Sequence, residues 1–343
     1  MKKRFLGLAL VTTVVFNSLT VSAKSNDINT QLDTNEIKVD VASEKFPNAK
    51  IITEYIDLEK ENITFVNGKF KSNSSEEEIE EKIEELNSDQ SLIEELKNNR
   101  DKKLIGIVDS SAFVRETVDS NNNVLGSQLL DEKEVTKKAV QQVDLLKTSL
   151  TRASNKLIGE KKDSDHKLTI RLAVWDQSAN DKSSQYVVSG NAFWSSGALT
   201  AFNGKTSPST GDDIIGFNWG GGFDFKNDGI KVIPSASKIP LASHMASSEP
   251  NNGVAWRFQE HKTVGRASSY AKQATIGATL VKNKRTGNGN TTGVVLKYIH
   301  TYQSYNASGA VSIGKKGIGS IDLDVKRVPK QWDLYLVVNG LKY

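Results

Sequence analysis

The chain contains no cysteine. That excludes disulfides, thiolate metal sites, cysteine nucleophiles and any disulfide-linked partner. Histidine is scarce: His166, His244, His261 and His300 are the four present, and no two have a metal-ligand spacing such as HExxH or HxH. There is no G-x-S-x-G nucleophile elbow and no glycine fingerprint followed by a helix. No metal and no cofactor is therefore expected. Long apolar runs are missing too. The longest, Phe5–Phe16, falls short of the roughly 20 residues of a membrane-spanning helix.

That run instead completes a signal-peptide pattern. Met1-Lys2-Lys3-Arg4 supplies the positive n-region, Phe5–Phe16 the apolar core, and Val21-Ser22-Ala23 the small-x-small cleavage site. Residues 1–23 are expected to be removed after Ala23. An exported chain of this size without cysteine fits a bacterial source, and the Lys-rich leader a Gram-positive one. Asn339–Tyr343 carries no apolar tail or sorting sequence. The expectation is a secreted, extracellular protein, either free or held on the cell wall by contacts.

Charge is unevenly spread over the 343 residues, whose net formal charge is +4. Lys24–Asp165 holds 21 Lys/Arg against 30 Asp/Glu, and His166–Tyr343 holds 21 against 11. All five tryptophans (Trp175, Trp194, Trp219, Trp256, Trp332) fall in the basic half. The asymmetry suggests either an anionic partner or an acidic half docked on a basic one.

The expected fold class is α+β overall: an acidic α/β N-terminal region, then an all-β antiparallel sandwich or barrel. Residues 24–50 read as a flexible lead-in and 51–160 as a small α+β region. Asn67-Gly68 is a candidate tight turn between short strands. Ser75 and Glu78 form a capping box before Ile79, Ile83 and Leu86, one narrow apolar face. Asn87-Ser88-Asp89 offers a cap for a second helix, so a helical hairpin is expected near 75–98. Asp131 and Glu134 form another capping box before Val135, Ala139, Val143, Leu146 and Leu150, a helix over 132–158. Asp119–Asn123 resembles half of a calcium loop but lacks the distal Glu, so it reads as a turn.

After the charged stretch Glu160–Asp165 the period changes to two. Leu168, Ile170, Leu172 and Val174 alternate with more polar neighbours, and similar strands recur to residue 338, separated by Asn/Gly/Asp turns. This gives a β domain over 166–343. Pro234–Pro250 reads as its longest loop and Gly220–Gly222 as a bulge or tight hairpin.

Candidate site residues come from the β domain. Trp194, Trp219 and Trp256 would stack on sugars if exposed or fill the core if buried. Lys284 and Arg285 lie in a basic turn suited to an anionic polymer. His244 sits in the Pro234–Pro250 stretch, and Asp213 belongs to the adjacent pair Asp212-Asp213, whose members would face opposite ways on a strand. His300, in mid-strand, reads as half-exposed.

The function these features favour is a binding module for an extracellular glycan or anionic surface polymer, not an enzyme. Two alternatives are a membrane-active, pore-forming β protein, based on Ala274–Val281 and Thr291–Ser304 flanking a Gly/Asn turn as a barrel hairpin would, and a secreted hydrolase using His244 and Asp213. Cell wall or a glycan polymer is the favoured partner, membrane contact is not favoured, and sequence assigns no oligomeric state.

Overall fold

The computed structural model describes residues 39–42, 46, 48–56, 58, 61–74, 76–98, 103–118, 124–135, 162–178, 183–194, 212–220, 222–249, 251–282, 290–301, 311–312, 324–325 and 331–342. All belong to one compact unit, Asn35–Tyr343. The expected signal peptide, the Asp119–Asn123 loop and the helix expected beyond Val135 lie outside the described residues.

The fold is predominantly antiparallel β. One sheet has six strands in the order β1 (Val39–Ala42), β18 (Gln331–Lys342), β15 (Thr291–Thr301), β9 (Asp212–Trp219), β12 (Gly253–Gln259) and β11 (Ser243–Glu249). The other runs β10 (Asp224–Pro234), β14 (Ala267–Lys282), β8 (Ser184–Trp194), β7 (Lys162–Asp176), β5 (Lys103–Val118) and β2 (Ile51–Ile56). Two more strands complete this eight-stranded sheet: β6 (Val124–Leu129) on β5 and β13 (His261–Val264) on β14. Also among the described residues are two small two-stranded sheets, β3–β4 (Ile63–Val66, Lys69–Ser72) and β16–β17 (Val311–Ser312, Asp324–Val325), two helices, α1 (Glu77–Ser88) and α2 (Gln90–Asn98), and a helical turn at 132–135.

The two sheets share one core. Alternate residues of β9 (Ile215, Phe217, Trp219), β12 (Val254, Trp256, Phe258), β15 (Val294, Leu296, Tyr298) and β18 (Trp332, Leu334, Leu336, Val338) face Leu168, Ile170, Leu172 and Val174 of β7 and Tyr186, Val188 and Ala192 of β8. Period-two patterning turns one face of each strand inward, and burial of that face drives the sheets together. They approach closely at Gly190, where a Cβ would stand 2.5 Å from Leu296 Cδ1 and 3.0 Å from the Phe217 ring. Residues facing away from this core on the six-stranded sheet, Ile214, Ala255, Val295, Ile299 and Val337, are buried as well.

The outer face of the eight-stranded sheet is divided. At one end Ile107, Ala173, Trp175 and Val187 form a second core with Leu86 of α1, Leu92, Ile93 and Leu96 of α2, and Phe70 of β4. The amphipathic spacing of the helices is thus used as expected. Asn67 and Gly68 have φ 53° and 78°, which closes the β3–β4 hairpin. Asp89 caps α2 through Leu92 N (2.9 Å). Asp131 and Glu134 cap each other reciprocally, Glu134 N to Asp131 Oδ1 at 2.9 Å and Asp131 N to Glu134 Oε2 at 3.4 Å.

Several details differ from expectation. Glu76, not Ser75, is the N-cap of α1, and it makes no side-chain cap bond; the acidic first turn Glu77, Glu78, Glu80 faces the helix dipole instead. Within Pro234–Pro250, Ser243–Glu249 forms the edge strand β11, while 235–242 is turn and irregular backbone. Gly220–Gly222 joins strands of different sheets, β9 and β10, and Gly222 has φ 65°. Asn227-Asp228-Gly229 is a bulge inside β10, with φ 94° at Gly229. Val39–Ala42, inside the stretch read as a lead-in, pairs with β18. β5 and β7 lie on either side of the charge break near residue 160, yet they are paired from Lys103↔Asp176 to Val118↔Lys162.

Candidate functional site

Register places polar side chains in rows on both sheets. On the outer face of the eight-stranded sheet, Asp109 (β5) pairs with Arg171 (β7), Arg171 with Asn191 (β8), and Asn191 with Thr275 (β14). The next row on the same face is Ser111, Thr169, Phe193 and Gln273. Cross-strand neighbours stand about 5 Å apart, so each row is a line of touching groups. This polar end of the face continues beyond the apolar end that α1 and α2 cover.

Arg171 is the centre of the first row and is 8% exposed. Its Nε and Nη2 donate to Asp109 Oδ1 and Oδ2 at 2.6 and 2.5 Å, a bidentate fork. Its Nη1 donates to Asp89 Oδ2 at the α1–α2 junction. Burial alone would lower its pKa, but Asp109 and Asp89 outweigh that effect and hold the guanidinium charged. Its carbon Cζ lies 5.7 Å from the Phe193 ring centre. Beside it the Ser111 and Thr169 hydroxyls are 2.8 Å apart, and Asn191 Oδ1 accepts from Gln273 Nε2 (2.9 Å) and Thr275 Oγ1 (2.5 Å).

Of these, Asp89, Asp109, Ser111, Thr169, Arg171 and Phe193 line a cleft of about 340 Å³ between α1 and the sheet. Its walls also include Ile52, Lys82, Glu85, Leu86 and Ile107. A second cleft of about 450 Å³ lies between α2 and β10–β14–β8, with Glu94, Glu95, Ser189 and Lys231 among its residues. Burial pushes the Glu95 carboxyl above its ordinary range, only partly offset by hydrogen bonding and by Arg171.

On the six-stranded sheet the row runs Phe258 (β12), Asp213 (β9), His300 (β15), Trp332 (β18), all on the inner face at one end. Glu260 follows β12 directly. Asp213 and Glu260 are 0% exposed and His300 is 2% exposed. Thr301 N donates to Asp213 Oδ1 at 3.0 Å, and the Tyr298 hydroxyl donates to Oδ2. Burial, with Asp213 and Glu260 nearby, pushes the Tyr298 phenol well above its ordinary pKa, so it stays a neutral donor. Trp194 reaches across from β8 to cover the group, its ring centre 6.0 Å from His300 and 5.9 Å from Trp332.

The residues singled out from sequence are scattered by the fold. Trp219 and Trp256 are core residues with no ring face at the surface. Trp194 is half-buried against the same core. Lys284 and Arg285 lie outside the described residues. His244 is exposed on β11, in register with Arg257 and through it with Ile214; Asp213 is in register with Phe258, on the opposite face. His244 and Asp213 therefore do not meet. His300 is buried, not half-exposed, because both faces of β15 are covered. Strands β14 and β15, read as one hairpin, lie in different sheets.

Sequence reasoning missed Arg171, Asp109, Asp89 and Phe193 as a group. A charged residue centred in the otherwise regular strand Leu168–Val174 was the available signal. Comparison with protein-family models, with curated proteins and with solved structures finds no match to this chain.

Proposed function

We propose that this chain is a secreted bacterial protein that binds an extracellular glycan, a sugar unit lying in the cleft between α1 and the outer face of the eight-stranded sheet. The observation that carries the reading is the pairing in one cleft of a half-buried ring, Phe193, with a guanidinium already oriented by two carboxylates. Sugars suit such a surface. Their C–H faces lie on aromatic rings, and their hydroxyls bond to fixed polar groups such as Ser111, Thr169 and Asp109. A volume of about 340 Å³ falls in the range of small-ligand sites.

Charge selects among ligands. The lining carries Lys82 and Arg171 against Glu85, Asp89 and Asp109. A polyanion would be repelled there, so a neutral sugar is favoured over an anionic wall polymer. The acidic α/β region 51–160 supplies α1, β2 and β5 to the cleft, and the basic β-sandwich region 166–343 supplies β7 and β8. Export rests on the leader pattern of residues 1–23, and the Gram-positive assignment on its lysines and the absence of cysteine.

The test uses the full chain without residues 1–23. Cosedimentation with bacterial cell-wall sacculi is measured with and without soluble neutral oligosaccharides. F193A and T169V should each weaken binding about tenfold, equivalent to about 1.4 kcal/mol. Binding unchanged by both substitutions would overturn the cleft. Binding abolished by salt but indifferent to neutral oligosaccharides would return the ligand to an anionic polymer.

A further inference from the structure

The row at the end of the six-stranded sheet carries an inference independent of the glycan reading. We propose that Asp213, Glu260 and His300 bind one divalent transition-metal ion of the zinc type. One donor atom from each residue lies within 4.8 Å of the other two. The three come from β9, the β12–β13 junction and β15, so the ion would tie together three segments of chain.

Spacing separates a metal site from an ion pair. His300 Nδ1 is 3.2 Å from Asp213 Oδ1 and 3.5 Å from Glu260 Oε2. A charge-assisted imidazolium–carboxylate bond closes to about 2.7–2.9 Å. Ligands held at about 2.0–2.1 Å on a tetrahedral centre stand roughly 3.3 Å from one another. Both separations match that edge. Nδ1 also stands 3.3 Å from Asp213 Oδ2, so both Asp213 oxygens and one of Glu260 surround one nitrogen at distances longer than such a bond and close to the spacing of ligands on a shared ion.

Burial sharpens the case. Two carboxylates that are 0% exposed are expensive to hold in an apolar interior unless a positive charge lies between them. The outer shell is already in place. Asp213 accepts from Thr301 N and from the Tyr298 hydroxyl, which fixes its orientation, as second-layer partners do around metal ligands. The Trp332 ring centre lies 5.1 Å from that of His300, and with Trp194 it limits ring rotation. Two oxygens and one imidazole nitrogen suit zinc, cobalt or manganese. Calcium takes six to eight oxygens, and copper(I) prefers sulfur. Three protein ligands leave a fourth position for water.

The pattern was invisible as a motif because Asp213 and His300 are far apart in sequence, and only the antiparallel register of β9 and β15 makes them neighbours.

The test uses the full chain without residues 1–23, stripped of metal with a chelator. Zinc is titrated by calorimetry, and cobalt by visible absorption, where four-coordinate Co²⁺ gives an intense d–d band. One ion should bind per chain, and zinc should raise the thermal midpoint by several degrees. D213N, E260Q and H300Q should each weaken zinc binding by at least the roughly 10- to 100-fold that loss of an outer-layer partner brings, with near-ultraviolet circular dichroism reporting whether each variant keeps its tryptophan packing. Absence of stoichiometric binding by the wild-type chain would overturn the site, as would equal binding by E260Q. Identical wild-type midpoints in chelator and in zinc would assign the triad to a protonated imidazole held between two acids.

Discussion

Replacing Arg171 with methionine tests the polar row most directly. The substitution keeps most of the aliphatic stem against Phe193 and removes the guanidinium. Three charge-assisted bonds are lost, two to Asp109 and one to Asp89. Breaking a buried ion network by removing one partner costs about 3–5 kcal/mol. The Asp109 and Asp89 side chains are 28% and 26% exposed, so water recovers part of that loss. The expected cost is near the lower bound, about 3 kcal/mol. For the roughly 200 described residues the unfolding entropy is about 0.4 kcal/mol/K, so the thermal midpoint should fall by about 7 °C. Urea denaturation gives the free energy directly, and D109N in a double-mutant cycle isolates the pair. Because Asp89 also caps α2, amide exchange should speed up at the α1–α2 junction and stay slow at the centre of β7 and β8. A loss below about 1 kcal/mol for R171M would refute the row as a structural element and place Arg171 among ordinary surface ion pairs.

Glu95 gives the pH dependence. Its folded pKa is raised by burial above the ordinary 4.5. A raised carboxyl adds stability that is complete below about 4.5 and is lost as pH rises through the folded value. E95Q should therefore be more stable than wild type at pH 7, with the gain vanishing in acid; denaturation at several pH values reads this, and a pH-independent difference would refute it. G190V should destabilise by about 1–3 kcal/mol or more in urea, because the added methyls meet Leu296 and Phe217 of the facing sheet; a neutral effect would mean the sheets do not approach there. Expressed in a Gram-positive host with its own leader, the chain should be recovered from the medium or wall fraction with Lys24 as its first residue by N-terminal sequencing. Retention in the cytoplasm at full length would end the secretion reading.

What was legible in the sequence was local. Asn67-Gly68, the Asp89 cap and the Ile79–Ile83–Leu86 face each depend on residues within a few positions, and each appears where expected. The period-two runs identify strands because a pleated backbone turns alternate side chains to opposite faces. They do not say which sheet a strand joins. β14 and β15 look like one hairpin by pattern, yet their hydrophobic faces meet across the core, not side by side. His300 was misplaced for a related reason: with both faces of β15 buried, alternation no longer separates inside from outside. The tryptophans were ambiguous because a large ring serves a core or a surface equally well, and burial of Trp219 and Trp256 resolves them. Both polar rows are products of register, the property that a single sequence encodes most weakly.

The pairing of β1 with β18 bears on how the chain is made. The six-stranded sheet joins Val39–Ala42 to Gln331–Lys342, so its first and last strands in sequence are hydrogen-bonded neighbours. A sheet with such long loops to close pays most of the closure entropy before the pairing rewards it, and folding is correspondingly slow. While a chain is being synthesised, β1 has no partner until β18 emerges. The six-stranded sheet is therefore complete only once Gln331–Lys342 is available to lie between β1 and β15.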